Sequence, residues 1–370
     1  MLARGTPRAA YFYEAPDTST FRYRAFNVAQ ALAAEPPGGA SAAWFIRDDL
    51  DGMDRVLDRC DVLVLCRTRY DARVARLVEA ARARGRRVLF DVDDLVFDPD
   101  YAHLVLDTLG RDLGDAQVWD EWFAYVGRLA AAFRLCDGAL VTNPYLAARA
   151  AEAFGDGRPV RVIPNFLEQE QQALSHRIWV AKALSGWARD GRVHLGYFSG
   201  TPTHDRDFAL VAAPLARLMD EDERLTLRLV GFLEPGPALA RHRARIERFP
   251  LQDYLNLQRL VGEVEVNLVP LQDNVFTHCK SALKWFEAAP VGTLTVATPT
   301  YAYRHAIAHG ETGWLAPTHA WESVLREVLR DLDAHWAGPG DVAERARDAA
   351  LDAHGWRNQA RAITAALFEG

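Results

Sequence analysis

Short apolar runs alternate along the chain with longer segments in which apolar residues recur every three or four positions. In the first half of the chain, the predicted strands are 9–15, 42–47, 61–67, 87–91, 138–143 and 160–164. The predicted helices between them are 21–34, 72–84, 120–136 and 145–154. Strands that alternate with helices form parallel sheets with helices on both faces, so the pattern predicts an α/β fold.

A second series of strands follows a looser, polar stretch. Its predicted strands are 194–200, 225–231, 264–271 and 293–298. We therefore expect two doubly wound, Rossmann-like domains, 1–170 and 192–340, with a linker at 171–191 and a final helical segment at 341–370. Ligands of such sheets bind at the carboxyl ends of the strands, so the functional site is expected in the cleft between the domains.

The segment 276–292 lies between two predicted strands and is itself predicted as a helix. At 100° per residue, Lys280, Lys284 and Glu287 fall on one narrow face of it. This face suits a nucleoside diphosphate, because the helix N-terminus and Lys280 attract phosphate oxygens and Glu287 can accept hydrogen bonds from a ribose diol. A surface helix with a ladder of Lys and Glu residues is the alternative.

The loop after the first strand of the second series is another candidate phosphate site. Gly200 and Thr201 are small and let the backbone approach a diphosphate, which Arg206 can bind through two hydrogen bonds. A loop capped by Asp205 or Asp207 is the alternative. Neither the GxGxxG fingerprint nor the P-loop pattern occurs, which disfavours a Rossmann dehydrogenase or a P-loop enzyme.

Three aspartates come at the end of the fourth predicted strand. Asp91, Asp93 and Asp94 form a cluster of carboxylates, which is costly unless it meets a cation, a hydroxyl-rich ligand or water. Metal binding, hydrogen bonding to a polyol acceptor and capping of the next segment all stay open as uses. No cluster of histidines or further carboxylates supports a dedicated metal site, so no metal cofactor is expected.

Basic side chains near predicted helix starts are further candidates. Arg22 and Arg24 are unusual near the start of the first helix, where the dipole prefers anions. An anionic ligand would relieve this conflict, and two solvated arginines are the alternative. His278 is a better functional candidate than its neighbour Cys279, for which no paired base is visible.

The composition is that of an ordinary soluble protein. Of 370 residues, 49% are hydrophobic and 25% are charged, which is enough for substantial cores. The net charge of -7 argues against a general nucleic-acid binder. The four cysteines form no CxxC pair, and no apolar run approaches the length of a membrane span. We expect a cytoplasmic protein, with peripheral contact to the inner face of a membrane left open.

Three motifs together resemble those of GT-B glycosyltransferases of the retaining, GT4-like type. The segment 287–292, Glu-Ala-Ala-Pro-Val-Gly, resembles their Glu-Ala-x-x-x-Gly motif, 307–315 resembles their next signature, and 162–165 resembles the end of their first domain. The segments 90–95 and 196–204 are similar to those of a bacterial subgroup associated with surface-polysaccharide or protein-glycan assembly. The resemblance implies a GT-B fold, in which the last helix crosses back onto the first domain.

The resemblance also implies roles for individual residues. Glu287 would hold the donor ribose, and Arg206 would stand in place of the family's phosphate-binding lysine. The backbone around Ser281 and Ala282 would face the diphosphate. The family's first glutamate, which meets the donor sugar, is replaced here by Cys279.

The predicted activity is transfer of a sugar from a UDP- or GDP-linked donor to a hydroxyl group of a glycan, lipid-linked or protein-linked acceptor. Arg206 and Lys280 would stabilise the leaving diphosphate, and Asp93 or Asp94 would orient the acceptor or act as base. The other predicted donor contacts are Gly200, Thr201 and His278, and the other predicted acceptor contacts are Arg22, Arg24 and Asp91. The reaction is expected to need no metal ion. A sugar-nucleotide epimerase or phosphorylase on the same fold and a non-catalytic nucleotide-sugar-binding protein are the alternatives.

Overall fold

The computed structural model describes residue 2 and residues 4–36, 38–187, 190–200, 205–334 and 340–369. Within these ranges, the first half of the chain forms one parallel sheet of six strands. The strands are β1 (Arg8–Phe12), β2 (Ser41–Phe45), β3 (Val62–Cys66), β4 (Arg87–Asp91), β5 (Gly138–Val141) and β6 (Val160–Val162). They are ordered β2-β1-β3-β4-β5-β6.

The second half of the described chain forms another parallel sheet of six strands. The strands are β7 (Val193–Phe198), β8 (Leu225–Val230), β9 (Ile246–Phe249), β10 (Val266–Val269), β11 (Leu294–Ala297) and β12 (Trp314–Leu315). Their order is β12-β11-β10-β7-β8-β9. Two parallel sheets built from alternating strands and helices confirm the predicted fold class of two doubly wound domains.

Helices connect the strands of both sheets. In the first domain they are α1 (Ser19–Phe21), α2 (Asn27–Ala33), α3 (Met53–Leu57), α4 (Ala72–Ala83), α5 (Ala102–Thr108), α6 (Ala116–Leu135) and α7 (Pro144–Phe154), with a π-helical turn, Arg22–Phe26, between α1 and α2. Further along the chain are α8 (Gln169–Leu184), α9 (Asp205–Glu221), α10 (Tyr254–Gly262), α11 (Val275–His278), α12 (Leu283–Ala288), α13 (Tyr301–Ala306), α14 (Trp321–Ala334), α15 (Gly340–His354) and α16 (Ala360–Phe368). None of the helices in the described ranges is long and apolar enough to cross a membrane.

Local sequence explains why β3 and α7 form where they were predicted. Every residue of β3 is buried, as expected for a central parallel strand that is covered by helices on both faces. Helix α7 begins where the Asn143 side chain accepts from the Leu146 N–H, and Pro144 occupies its first turn. It ends at Gly155, whose φ of 68° lies in the left-handed region that favours glycine.

The strand register brings the loops after the strands together. Cys66 at the end of β3 pairs with Asp91 at the end of β4, so the residues that follow both strands meet at one edge of the sheet. In the second domain, Phe198 at the end of β7 pairs with Val230 at the end of β8. The two edges face each other across the cleft.

The C-terminal segment divides between the two domains. Helix α15 places Ala346 and Ala350 in a buried cluster with Phe286 of the second domain. Helix α16 places Ile363 and Leu367 in a buried cluster of the first domain. The last helix therefore ties the end of the chain to the first domain.

The segment expected as a linker is mostly helix α8, which packs against α10.

Candidate active site

A cavity of about 670 Å³ lies between the two sheets. It is lined by Arg67 after β3 and Asp93 after β4 on the first domain, and by Ser199 and Gly200 after β7 and Val230 at the end of β8 on the second. Carboxyl ends of parallel strands are the usual place for ligands in α/β folds. This cavity is therefore the candidate active site.

The segment 276–292 does not form the single helix that its sequence predicts. Helix α11 ends at His278, and α12 starts only at Leu283. Lys280 and Ser281 lie in the irregular segment between the two helices, and both line the cavity. The prediction of one continuous charged helix face is wrong.

A contact from the first domain accompanies this interruption. The Asn143 side-chain amide donates to the carbonyl oxygens of Cys279, at 2.8 Å, and of Lys280, at 3.2 Å. These carbonyls therefore bind across the cleft, at the place where a continuous helix would use them internally. Within the described residues, no acceptor takes up the backbone N–H groups of Ser281 and Ala282.

Lys284 brings an ammonium group from α12 to the cavity. Burial lowers the pKa of Lys284 to about 8, and its Nζ lies 4.8 Å from the centroid of the Tyr197 ring. The charges of Asp207 and Glu287 oppose this pKa shift, although neither forms an ion pair with Lys284 in the described part of the chain. A half-buried cation without an ion-pair partner favours an anion at this place.

Glu287 lies near Lys284 at the bottom of the cavity. Its Oε1 accepts a hydrogen bond from the Tyr23 hydroxyl of the first domain and one from the Gln171 amide at 3.4 Å. Burial raises the pKa of Glu287, and the positive charge of Arg22 and the two hydrogen bonds oppose this shift. The carboxylate thus lies on the second-domain wall of the cavity, where a polar ligand can reach it.

Arg22 extends from the first domain toward the same place. Its guanidinium carbon lies 4.7 Å from the centroid of the Tyr23 ring and 4.4 Å from that of Tyr254. Its Nε is buried without a hydrogen-bond acceptor in the described structure. The sequence assigns Arg22 to the acceptor, whereas the structure places its charge beside Glu287 and the second-domain wall.

The opposite wall of the cavity has a cation held between carboxylates. Arg67 Nη1 lies 3.0 Å from Asp93 Oδ1 and 3.4 Å from Asp94 Oδ2. The Thr20 hydroxyl also donates to Asp93, at 2.8 Å. The backbone φ of Arg67 is 42°, an uncommon left-handed value for a residue other than glycine. Such backbone conformations cluster at functional sites.

Asp94 connects the two walls. Its Oδ1 lies 3.5 Å from the Nζ of Lys280 on the second domain. Within the described ranges, no group of three or more His, Cys, Asp and Glu side chains could hold a metal ion. The charges of Asp93 and Asp94 are met by protein cations instead, and independence from metal stays a prediction.

Two predicted acceptor contacts are corrected by the structure. Arg24 and Asp91 are both fully buried and form a two-point ion pair, with Nε–Oδ1 and Nη2–Oδ2 distances of 2.7 and 3.1 Å. Arg24 also donates to the Ile163 carbonyl and to the Asn165 side chain. Because neither lines the cavity, the pair stabilises the interior of the first domain instead of binding an acceptor.

One predicted donor contact also lies elsewhere. The His278 Nδ1 accepts from the Tyr301 backbone N–H at 2.8 Å, and its Nε2 lies 3.0 Å from Asp273, so both ring nitrogens are engaged outside the cavity. The Ala282 side chain is buried in the second-domain core, so only its backbone, to which the resemblance assigns the diphosphate contact, is left for a ligand. Cys279 is buried in a first-domain cluster, where burial raises the pKa of its thiol to about 12. That Cys279 is no nucleophile stays a prediction.

The loop after β7 is described only in part. Gly200 lines the cavity, where its contact with a diphosphate stays a prediction, and Thr201 lies outside the described residues. Arg206 forms an ion pair with Asp107 of α5, and its side chain is 45% exposed. Arg206 does not line the cavity, so its position does not support the predicted contact with the diphosphate.

Sequence reasoning missed several residues that line the cavity. Arg67 directly follows a buried strand, and a charge at that position was a usable signal. Tyr23 lies between Arg22 and Arg24, which were both candidates, but was not itself considered. Trp122 and Tyr125 lie on α6 and were counted only toward helical periodicity. Only the folded chain shows that these side chains share one cavity.

Comparisons with known proteins define the class of fold. No protein-family model matches the chain, and no curated protein matches its sequence. The structure of Anabaena HepE in complex with UDP and glucose matches with a TM-score of 0.65 and 11% identity, over 96% of this chain and 98% of HepE. A glycosyltransferase from Rickettsia africae matches with a TM-score of 0.63 and 11% identity, over 98% and 99% of the two chains.

WaaG, a glycosyltransferase involved in lipopolysaccharide biosynthesis, matches with a TM-score of 0.63 and 14% identity, over 98% of this chain and 100% of WaaG. The chain therefore has the GT-B fold of these glycosyltransferases, which confirms the fold that the sequence motifs implied. At this level of identity the similarity concerns the fold, so donor, acceptor and reaction have to be inferred from the cavity.

Proposed function

We propose that this protein is a glycosyltransferase that moves a sugar from a nucleoside-diphosphate sugar to a hydroxyl group of a glycan or glycoconjugate. The observation that carries the proposal is the second-domain wall, where the ammonium of Lys284 lacks a carboxylate partner among the described residues and lies with Lys280 and Glu287 on one cavity. Two cations and a carboxylate complement a diphosphate joined to a ribose. HepE, on the same fold, binds UDP.

The diphosphate and the ribose of the donor both have partners in this proposal. Lys280 and Lys284 bind the diphosphate, together with the backbone N–H groups of Ser281 and Ala282. Glu287 accepts hydrogen bonds from the ribose hydroxyls, and Arg22 adds a positive charge above them. The base is uracil or guanine, and the UDP-bound structures of HepE support uracil.

The reaction needs stabilisation of a leaving group more than a protein nucleophile. The bond between the anomeric carbon and the β-phosphate oxygen breaks, and the negative charge that develops on the diphosphate is stabilised by Lys280 and Lys284. The acceptor oxygen forms the new bond to the anomeric carbon. Asp93 or Asp94 orients the acceptor hydroxyl and takes part in removal of its proton. Closure of the cleft excludes water that would hydrolyse the donor.

Donor binding tests the proposal directly. Calorimetric titrations with UDP-glucose and GDP-mannose would measure affinity for wild type, Glu287→Ala and a control, Glu263→Ala. Glu263 forms a surface ion pair with Arg228 and does not line the cavity. Each charge-assisted hydrogen bond is worth about 1.5 to 3 kcal/mol, so Glu287→Ala should weaken binding on the order of 10- to 100-fold.

The control variant should bind like wild type, and thermal unfolding should show that both variants are folded. Equal affinity of wild type and Glu287→Ala would remove Glu287 from the donor site. Absence of binding by any nucleotide sugar would overturn the proposal.

A non-catalytic nucleotide-sugar-binding protein is the second candidate. It is favoured by Cys279, which occupies the position of the family's sugar-contacting glutamate and is buried away from the cavity. Mass spectrometry of products formed from UDP-glucose with and without added glycans separates the two candidates. Transfer at any measurable rate rules out the second, and tight binding without transfer or hydrolysis supports it.

A further inference from the structure

The first half of helix α6 carries a group of aromatic side chains that are only partly buried. Trp119, Trp122 and Phe123 recur at i, i+3 and i+4, and Tyr125 follows them; we refer to these four residues as the α6 aromatic strip. The second half of α6 buries its apolar residues, Phe133 among them, in the first-domain core. The strip is less buried: Trp122 and Tyr125 are half-buried against the edge of the same core, and Phe123 is 46% exposed.

The strip begins inside the candidate active site. Trp122 and Tyr125 line the cavity, and their rings meet edge to face with centroids 5.5 Å apart. The Tyr125 hydroxyl accepts from Arg67 Nε at 3.2 Å, and Arg67 in turn holds Asp93. The inner end of the strip is therefore attached to the carboxylate group that would orient an acceptor hydroxyl.

Outside the cavity the strip continues as a rigid aromatic surface. The rings of Trp119 and Phe123 are stacked, with centroids 5.7 Å apart and an interplanar angle of 27°. The indole Nε1 of Trp119 donates to the Leu113 carbonyl at 2.9 Å, which fixes the ring. Trp119 lies one turn from Trp122, a rise of about 4.5 Å along the helix, so the strip is long enough for more than one sugar ring.

The charge around the strip selects among ligands. The segment 107–121 contains five carboxylates and one arginine. This excess of negative charge disfavours anionic ligands such as nucleic acid, acidic phospholipid or a phosphodiester polymer. A neutral sugar fits, because its C–H faces pack on aromatic rings while its hydroxyls donate to carboxylates.

We infer that the α6 aromatic strip binds the sugar units of a neutral oligosaccharide acceptor of at least two residues. The sugar that receives the transfer lies at Asp93 and Asp94, the next sugar packs on Trp122 and Tyr125, and the chain leaves the cavity over Trp119 and Phe123. This inference rests on the proposed function, since it assigns the acceptor of the same reaction.

The test uses the full chain with saturating UDP, which keeps the donor site occupied. An array of neutral and acidic glycans identifies ligands, and calorimetry with the best one and with its terminal monosaccharide gives the affinities. The variants are Trp119→Ala/Phe123→Ala and a control, Leu184→Ala, which removes an apolar side chain that is 84% exposed on α8.

We expect neutral oligosaccharides to bind, with affinity reduced about 10- to 100-fold by the double variant and unchanged by the control. Monosaccharide affinity should change little, because the outer rings touch only the distal sugars. Binding of UDP-glucose by the double variant should equal that of wild type. The UDP-glucose titration separates this inference from the proposed function, since absence of UDP-glucose binding by the wild type would overturn the proposed function itself.

Three results would overturn the inference while UDP-glucose still binds. The first is equal oligosaccharide affinity of wild type and the double variant. The second is binding of acidic glycans only, or of no glycan at millimolar concentration. The third is strip-dependent binding to phosphatidylcholine vesicles without glycan binding, which would assign the aromatic surface to a lipid.

Discussion

The two walls of the cavity carry similar side chains and treat their charges differently. On the first domain, Arg67 is balanced by Asp93 and Asp94 within 3.4 Å. On the second, Lys284 is half-buried without an ion-pair partner in the described structure, and desolvation lowers its pKa to about 8. A wall with satisfied charges suits a neutral polyhydroxyl ligand, and a wall with an unpaired cation favours an anion. Under the proposed function, this difference places the acceptor at the first-domain wall and the donor at the second.

The substitution Lys284→Met is the strongest test of this contrast between the two walls. Loss of one preorganised cation at the leaving group should lower kcat/KM for the nucleotide sugar about 100- to 1000-fold. The same change should raise the free energy of unfolding at pH 7 by roughly 1 to 3 kcal/mol, because it removes a desolvated charge. Kinetics and urea denaturation measure the two effects.

Lys182→Met is the matched control for that variant. Lys182 donates to the Val291 carbonyl and does not line the cavity, so donor kinetics should be unchanged. Loss of stability in Lys284→Met with normal kinetics would mean that the lysine is structural, and the contrast between the walls would fail.

Arg67→Met tests the other wall. It leaves Asp93 without its cation and Asp94 with Lys280 alone, so the two carboxylates no longer orient a hydroxyl in one geometry. We expect kcat/KM for the acceptor to fall about 10- to 100-fold while the KM for the donor stays unchanged. Arg82→Met, which breaks the exposed pair with Asp137, should leave both parameters unchanged. A rise in donor KM in Arg67→Met would instead place Arg67 with the donor.

The pH dependence of donor affinity sharpens the comparison further. Lys284 is protonated below about pH 8 and neutral above it, so affinity for the diphosphate should fall as the pH rises from 7 to 9. With a pKa of about 8, roughly one tenth of the Lys284 side chains are charged at pH 9, so the affinity at pH 9 should be about 10-fold lower than at pH 7. Lys284→Arg keeps its charge, so its affinity should not fall over this range. A parallel fall in wild type and Lys284→Arg would assign the titration to another group.

The stability of the wild type should change in the opposite direction over this range. In the unfolded chain the lysine pKa is about 10.4. Between about pH 8 and 10.4 the unfolded state therefore binds more protons than the native state, and the free energy of unfolding should rise with pH. Urea denaturation at pH 7.5 and 9.5 checks this sign, and the rise should be smaller in Lys284→Met.

The smallest expected effect is that of metal removal. Because Asp93 and Asp94 are already balanced by Arg67 and Lys280, EDTA should change turnover by less than twofold, within ordinary assay error. Activity that is lost in EDTA and restored by Mg²⁺ would make the aspartates metal ligands and reverse the assignment of the first-domain wall.

Periodicity was enough to predict the fold, because a strand such as β4, Arg87–Asp91, is an apolar run with clear ends. It was not enough for the segment 276–292, where a hydrogen bond from Asn143 in the other domain accompanies the break. Arg24 and Asp91 illustrate the same limit. They are 67 residues apart in sequence, and nothing local indicates that they satisfy each other inside the first domain.

The hydrogen bond between Tyr23 and Glu287 has a consequence for turnover. The tyrosine belongs to the first domain and the carboxylate to the second, and under the proposed function a ribose hydroxyl would compete with the phenol for this carboxylate. A nucleotide that takes this carboxylate releases a link between the two halves, and its departure allows the link to form again. Under the proposed function, occupancy of the donor site would therefore be coupled to the contact that Tyr23 makes between the two domains.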